Sequence, residues 1–265
     1  MTKDGTADGR AGDAPKPRGG EAHYRGFIGC AGRYDLMAAS QFDLLTLGGL
    51  REGHHLLDIG CGSLRAGRLL IPYLAEGRYA GIEPERWLVQ EGIEREVGAD
   101  QVRLKAPLFH HVDDFEMASL ARTFDYLLAH SIFSHASQAQ IRRCCEQAHA
   151  VMGPKSLFYA TFLIGDRDYD GTDWVYPELV PYTWRWIREA ATAAGLHATQ
   201  LDWHHPNKQR WVLLTRSEAA ASTRRAGDPC RTVRRQAGRM RMLRTPGMRR
   251  LLAVRRGRIR GPASS

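Results

Sequence analysis

The chain has 265 residues, 43% of them hydrophobic, which is enough for one well-buried domain with appendages and short for two. Its apolar runs are broken by charge or proline well before the roughly 20 residues that a membrane-spanning helix needs, which excludes a transmembrane segment. The formal charge of +9 is uneven, because residues 217–265 hold 14 Arg against Glu218 and Asp228, a net +12 that leaves −3 on residues 1–216.

The first 22 residues are rich in Gly, Asp, Lys and Pro and lack the apolar stretch of a secretory signal, so they read as a disordered leader. Residues 23–50 carry Tyr34, Leu36, Met37, Phe42, Leu44, Leu45 and Leu47, the content of one or two helices that cap a sheet. From His55 onward short apolar runs alternate with amphipathic stretches, the pattern of strands and helices wound into a parallel sheet. Candidate strands are His55–Ile59, Tyr79–Glu83, Val102–Lys105 or Phe109–Val112, Phe124–Ala129 and Ser156–Leu163. Ser137 with Gln140 forms a capping-box pair, and Ile141, Cys144, Cys145, Ala148, Val151 and Met152 recur at helical spacing up to Gly153. A second helix runs from about Thr183 to Ala194, stopped by Gly195. Two last strands, Leu196–Trp203 and Arg210–Thr215, are too close in sequence for a parallel crossover, so they pair antiparallel. The expected fold is therefore α/β and doubly wound, with a mostly parallel seven-stranded sheet that ends in a C-terminal antiparallel hairpin.

The chemistry concentrates in Leu57-Asp58-Ile59-Gly60-Cys61-Gly62-Ser63. An acid closes a buried strand, and glycines follow where the chain must turn into a helix and let a ligand approach the backbone. A dinucleotide fingerprint would place its third Gly at position 65, which is Arg, and no Gly-Lys-Ser/Thr follows for a P-loop. Twenty-five residues after Asp58, Glu83 closes the second strand, where a carboxylate accepts hydrogen bonds from ribose hydroxyls.

Together these residues resemble motif I of class I S-adenosylmethionine-dependent methyltransferases, in the variant wording Asp-Ile-Gly-Cys-Gly-Ser-Leu-Arg, over roughly residues 24–216. Leu64 stands where the usual pattern has its third glycine. The resemblance implies a Rossmann-like methyltransferase sheet, S-adenosyl-L-methionine as cofactor, and a domain spanning 23–216. It assigns Asp58 and the backbone of Gly60, Cys61, Gly62 and Ser63 to the methionine and sugar portion, and Glu83 to the ribose. One of Asp113 and Asp114, beside Phe115, would reach the adenine, with His130 at the cofactor edge and His135 nearer the acceptor. The acceptor expected is a hydroxyl or amine of a small molecule such as a sugar or secondary metabolite.

Some residues carry two readings. Cys61 sits near a helix start, where thiols become reactive, yet it reads as a packing residue. His135 is the candidate general base, with Asp168 and Asp173 as alternatives and Trp174 and Tyr176 in the same insert. His204-His205 resembles a metal pair, but adjacent residues at a strand end point to opposite faces, so no metal is expected. The cysteine count of five is odd and lacks metal-ligand spacing, which suits reduced thiols and a cytoplasmic protein. The basic tail at 217–265 suggests contact with an anionic surface, membrane or nucleic acid. That tail supports an alternative function, a surface-binding protein whose α/β domain holds a nucleoside only as a regulator.

Overall fold

A computed structural model describes residue 20 and residues 23–218. The expected leader and basic tail, with Cys230, lie outside the described residues apart from residues 20, 217 and 218.

The first strand, β1 (Leu56–Ile59), pairs in parallel with β2 (Tyr79–Ile82) on one side and β4 (Phe124–Ala129) on the other. Outward from these, β3 (Leu108–His110) joins β2, and β5 (Met152–Ile164) joins β4. β8 (Arg210–Thr215) and β7 (His197–Leu201) complete the order β3-β2-β1-β4-β5-β8-β7, both pairing antiparallel. The hairpin expected from its short connection is therefore present, and a two-residue strand, β6 (Pro181–Tyr182), adds to the end of β5.

Side chains alternate across the sheet. Leu57, Ile59, Leu127 and Ala129 pack under α6 (Gln138–Val151) and α7 (Trp184–Ala193). Leu56, Tyr126 and Leu128 face the opposite layer of α2 (Tyr34–Leu47) and α3 (Gly67–Tyr73). With both faces covered, the central strands are mostly apolar, interrupted in β1 by Asp58 and in β4 by the exposed Asp125. In α6 the Ser137 hydroxyl accepts from the Gln140 amide while the Gln140 side chain accepts from the Ser137 amide, so the capping box is formed. Cys144 and Cys145 face the core, as the helical spacing requires.

Between β2 and β3 run α4 (Arg86–Gly92), a wider helical turn at Ile93–Val97, and α5 (Ala99–Lys105). The strand alternative at Val102–Lys105 is thus corrected to helix. Val-Arg-Leu-Lys alternates like a strand, but Asp100 in the first turn and Arg103 and Lys105 in the last complement a helix dipole. α6 ends at Val151, and β5 begins four residues ahead of the expected Ser156, with an irregular register beside Phe124.

The helical cap is α1 (Tyr24–Phe27), a short turn at Ala31–Arg33, and α2. It is tied down at Glu96, whose nearly buried carboxylate takes Arg25, Arg68 and the Tyr24 hydroxyl. The Arg25 and Arg68 guanidinium groups also lie 4.6 and 5.3 Å from the Tyr34 ring, within cation–π range. Among the described residues no helix is long and apolar enough to cross a membrane.

After β1 the backbone takes positive φ at alternate residues, +71° at Gly60, +54° at Gly62 and +58° at Leu64. The departure from the glycine pattern therefore changes the residue and keeps the turn. Leucine in this region costs about 1–2 kcal/mol, and Leu64 offsets it by complete burial against the α2–α3 layer. Leu64→Ala should lose about 3 kcal/mol of stability, as core leucines do. Leu64→Gly, which removes more side chain but relieves the strain, should be about 1 kcal/mol more stable than the alanine variant. Urea unfolding of the two variants checks this, and an alanine variant at least as stable as the glycine variant would contradict the strain argument.

Candidate active site

In a doubly wound sheet the crevice lies where strand order reverses, outside the carboxyl ends of the strands. Here that place is the end of β1 between β2 and β4, and a cavity of about 500 Å³ occupies it, within the roughly 300–1,000 Å³ usual for small-molecule sites. Its floor is the Gly60–Gly62 turn. A side chain at Gly60 would collide with Ile132, its Cβ falling 2.1 Å from Cδ1, and one at Gly62 would meet Ile28 at 2.9 Å. Ile28 and Ile132 themselves line the cavity, so the turn has room for a ligand only because these residues lack side chains.

At one end stands Glu83. Its two carboxylate oxygens accept from the Gly62 amide at 2.9 Å and the Glu85 amide at 3.0 Å, which fixes it against the turn. Burial pushes its pKa up to about 7 against the pull of those amides. Asp58, deeper in the floor, accepts from the Tyr79 hydroxyl at 2.8 Å. Burial raises it to about 6, opposed by that hydrogen bond and by Arg65. Each carboxylate oxygen retains acceptor capacity, so both fit a ligand that brings hydroxyl or ammonium donors.

At the other end His135 lies on the turn between β4 and α6, with Trp174 and Tyr176 of the insert against it at ring distances of 5.7 and 4.8 Å. Its Nδ1 is 2.5 Å from the Glu178 carbonyl oxygen. A carbonyl only accepts, so Nδ1 carries the proton and Nε2 keeps a lone pair, without a partner among the described residues. Burial lowers the His135 pKa below its ordinary value, which keeps the ring neutral at pH 7.

Of the predicted residues, Asp58, Gly60, Cys61, Gly62, Glu83, Asp113, Phe115, His130 and His135 all line the cavity. Two of the named residues, Ser63 and Asp114, lie outside the cavity lining. Ser63 is turned into the interior, where its carbonyl accepts from the Tyr34 hydroxyl at 2.8 Å. Asp114 is used in its own turn, accepting from the Glu116 amide at 3.0 Å, so of the adjacent pair only Asp113 faces the cavity. Cys61 is buried beside Asp58 and Glu83, and burial raises its thiol pKa far up, the opposite of an activated nucleophile. Asp168 accepts from the Thr183 amide and Asp173 lies outside the cavity, so neither alternative base is in place. Trp174 and Tyr176 do line it.

The sequence reading missed Arg65, Phe27 and His205. Phe27 and Arg65 line the cavity, and His205 is buried with its ring against His130. Among the described residues no cluster of three or more His, Cys, Asp or Glu suits a metal.

No protein-family model matches the chain. Solved structures do. A sugar N-methyltransferase from a Streptoalloteichus species superposes with TM-score 0.52 at 20% identity, over 82% of this chain and 99% of that one. Magnesium protoporphyrin IX methyltransferase from Synechocystis, solved with S-adenosylhomocysteine, gives 0.51 at 14%, over 70% and 86%. A glycopeptide N-methyltransferase complexed with S-adenosylmethionine gives 0.52 at 11%, over 69% and 95%.

A ligand that donates to Glu83 and Asp58 binds their ionised forms, so binding should expel protons wherever the free carboxylates are partly protonated, around pH 6 to 7. The sign follows from the upward shifts, and affinity should rise with pH across this range. Calorimetry with S-adenosylhomocysteine in two buffers of different ionisation enthalpy would show the release, and Glu83→Gln should reduce it. Binding with no proton release near pH 6.5 would contradict the carboxylate assignment. The fold of this chain is that of the Rossmann-like S-adenosylmethionine-dependent methyltransferases.

Proposed function

We infer that this chain is an S-adenosylmethionine-dependent methyltransferase acting on a hydroxyl or amine of a small molecule. The observation that carries the reading is one cavity with Glu83 beside the Gly60–Gly62 turn at one end and His135, with a free ring nitrogen, at the other. The solved structures of this fold bound to S-adenosylmethionine or S-adenosylhomocysteine support the same cofactor here.

When bound, the sulfonium supplies a methyl group already activated for transfer. The protein's part is to align, exclude water and take a proton. Glu83 would hold the ribose hydroxyls, Asp113 and Phe115 the adenine, and Asp58 the ammonium of the amino-acid end. Trp174, Tyr176 and Phe27 would cover the acceptor side, where their rings keep water from the reacting atoms.

His135 is the base. The Glu178 carbonyl holds its tautomer and orientation, the job a carboxylate does for histidine in other enzymes. Nε2 then accepts the acceptor's proton. His130 is unsuited to this, because the arginine beside it donates toward its Nδ1 and burial holds its pKa well down.

His135→Gln should reduce kcat by about 10²–10⁴-fold, with S-adenosylhomocysteine affinity unchanged. At saturating S-adenosylmethionine, wild-type kcat should be flat around neutrality and fall on acidification only below about pH 6.5, since burial holds His135 below its ordinary value and protonation removes the base. Transfer of a labelled methyl from S-adenosylmethionine into a metabolite extract, followed by mass spectrometry of the labelled species, identifies the acceptor. Failure of the wild-type protein to bind S-adenosylhomocysteine would overturn the reading. Unchanged turnover in His135→Gln would remove the base assignment alone.

A further inference from the structure

Arg65 begins the approach to α3 and lines the cavity. Its Nη1 donates to the Ile28 carbonyl at 3.2 Å, and its Nη2 lies 2.7 Å from His130 Nδ1. Its Nε is fully enclosed and has no partner among the described residues. Among the described residues no carboxylate stands at ion-pair distance from this guanidinium. A half-buried cation with an enclosed, unsatisfied N–H and no carboxylate at ion-pair distance calls for an anion beside it.

A second observation comes from counting protons. Arg65 Nη2 meets His130 Nδ1, His130 Nε2 lies 2.9 Å from His205 Nε2, and the Asn207 amide lies 3.2 Å from His205 Nδ1. Arginine and a backbone amide can only donate, so both Nδ1 atoms must accept. Each neutral ring then carries its proton on Nε2, and two N–H groups face each other. The chain has one donor too many, and protonating either ring adds another.

An acceptor placed beside Arg65 removes the surplus. Arg65 Nη2 turns to it, His130 takes the Nδ1–H form and donates to it as well, and His130 Nε2 accepts from His205 Nε2–H. His205 Nδ1 goes on accepting from Asn207. Every donor then has an acceptor.

We propose that Arg65 and His130 form a clamp for a ligand carboxylate in the cavity wall, with His205 as the positioning residue that selects the donating tautomer of His130. The planar fork of a guanidinium matches a carboxylate. That carboxylate belongs either to the amino-acid end of the cofactor, which rests on the methyltransferase reading, or to an acidic acceptor.

Calorimetry on the full chain separates these sources. If the clamp takes the cofactor carboxylate, wild-type protein binds S-adenosylmethionine at least about tenfold tighter than its decarboxylated analogue. Arg65→Gln abolishes that ratio, and His205→Ala shrinks it without changing affinity for the decarboxylated form. If the clamp takes an acceptor, the ratio is near one, while acetate raises the melting temperature of the wild-type protein and not of Arg65→Gln. The acetate arm is run with and without S-adenosylhomocysteine, so it still decides when no S-adenosyl compound binds. A ratio near one together with no acetate response in the wild-type protein overturns the clamp, and this needs no variant to fold. A ratio or response retained in a folded Arg65→Gln overturns it equally.

Discussion

The turn after β1 is the constraint on which the remaining structure depends. A buried strand ends there at the switch point of the sheet, and the chain must reach α3 without filling the crevice. Positive φ at residues 60, 62 and 64 meets that demand. The Gly60 and Cys61 amides reach the Ile82 carbonyl at 2.8 and 3.0 Å, and the next amide, of Gly62, reaches Glu83. The same bends that clear the cavity therefore also bring the end of β2 to its edge. Glycine is required where the turn faces the cavity. At Leu64 it faces the core, and burial of a large side chain compensates for an unfavourable backbone.

Burial then acts with opposite sign on the two kinds of titratable group. It raises Asp58 to about 6 and Glu83 to about 7 and lowers His135, His130 and His205, so near neutral pH the histidines are uncharged, Glu83 is poised between its two forms and Asp58 is mostly ionised. A ligand bringing donors to the acids and a carboxylate to the guanidinium restores charge on both sides. One desolvated space thus prepares carboxylates to accept donors at one end and a neutral imidazole to accept a proton at the other.

Legibility in the sequence followed from distance along the chain. Asp58, Gly60, Cys61, Gly62 and Glu83 lie on a strand, a turn and the next strand, whose local patterns place them together before any tertiary contact is known. The Leu196–Thr215 hairpin was readable for the same reason, since a short connection leaves only antiparallel pairing. Val102–Lys105 was ambiguous because four residues fit both periods, and only the helix-end charges separate them. Asp113 and Asp114 differ by which one a tight turn uses for itself, with Phe115 at φ +59°. Arg65, His205, Tyr176 and Phe27 meet only through folding. His205 in particular comes from the β7–β8 connection, 75 residues from His130, and nothing in its local sequence pattern points to that contact.

The walls of the cavity come from two separable sources. The floor and the Glu83 end are built from β1, β2 and the turn between them and α3, the part that the fold itself fixes. The cover is built from the cap, held by Glu96, and from the insert, which the loop before α6 anchors through the Val175 and Val180 amides to the His135 and Ser134 carbonyls at 3.0 and 2.8 Å. The two covering segments meet where the Tyr176 hydroxyl donates to the Phe27 carbonyl. Substitutions in the insert can therefore reshape the His135 end of the cavity while leaving the Gly60–Gly62 floor untouched. His135 and Arg65 sit on the seam between the two sources, the place that the proposed reading requires for groups serving both cofactor and acceptor.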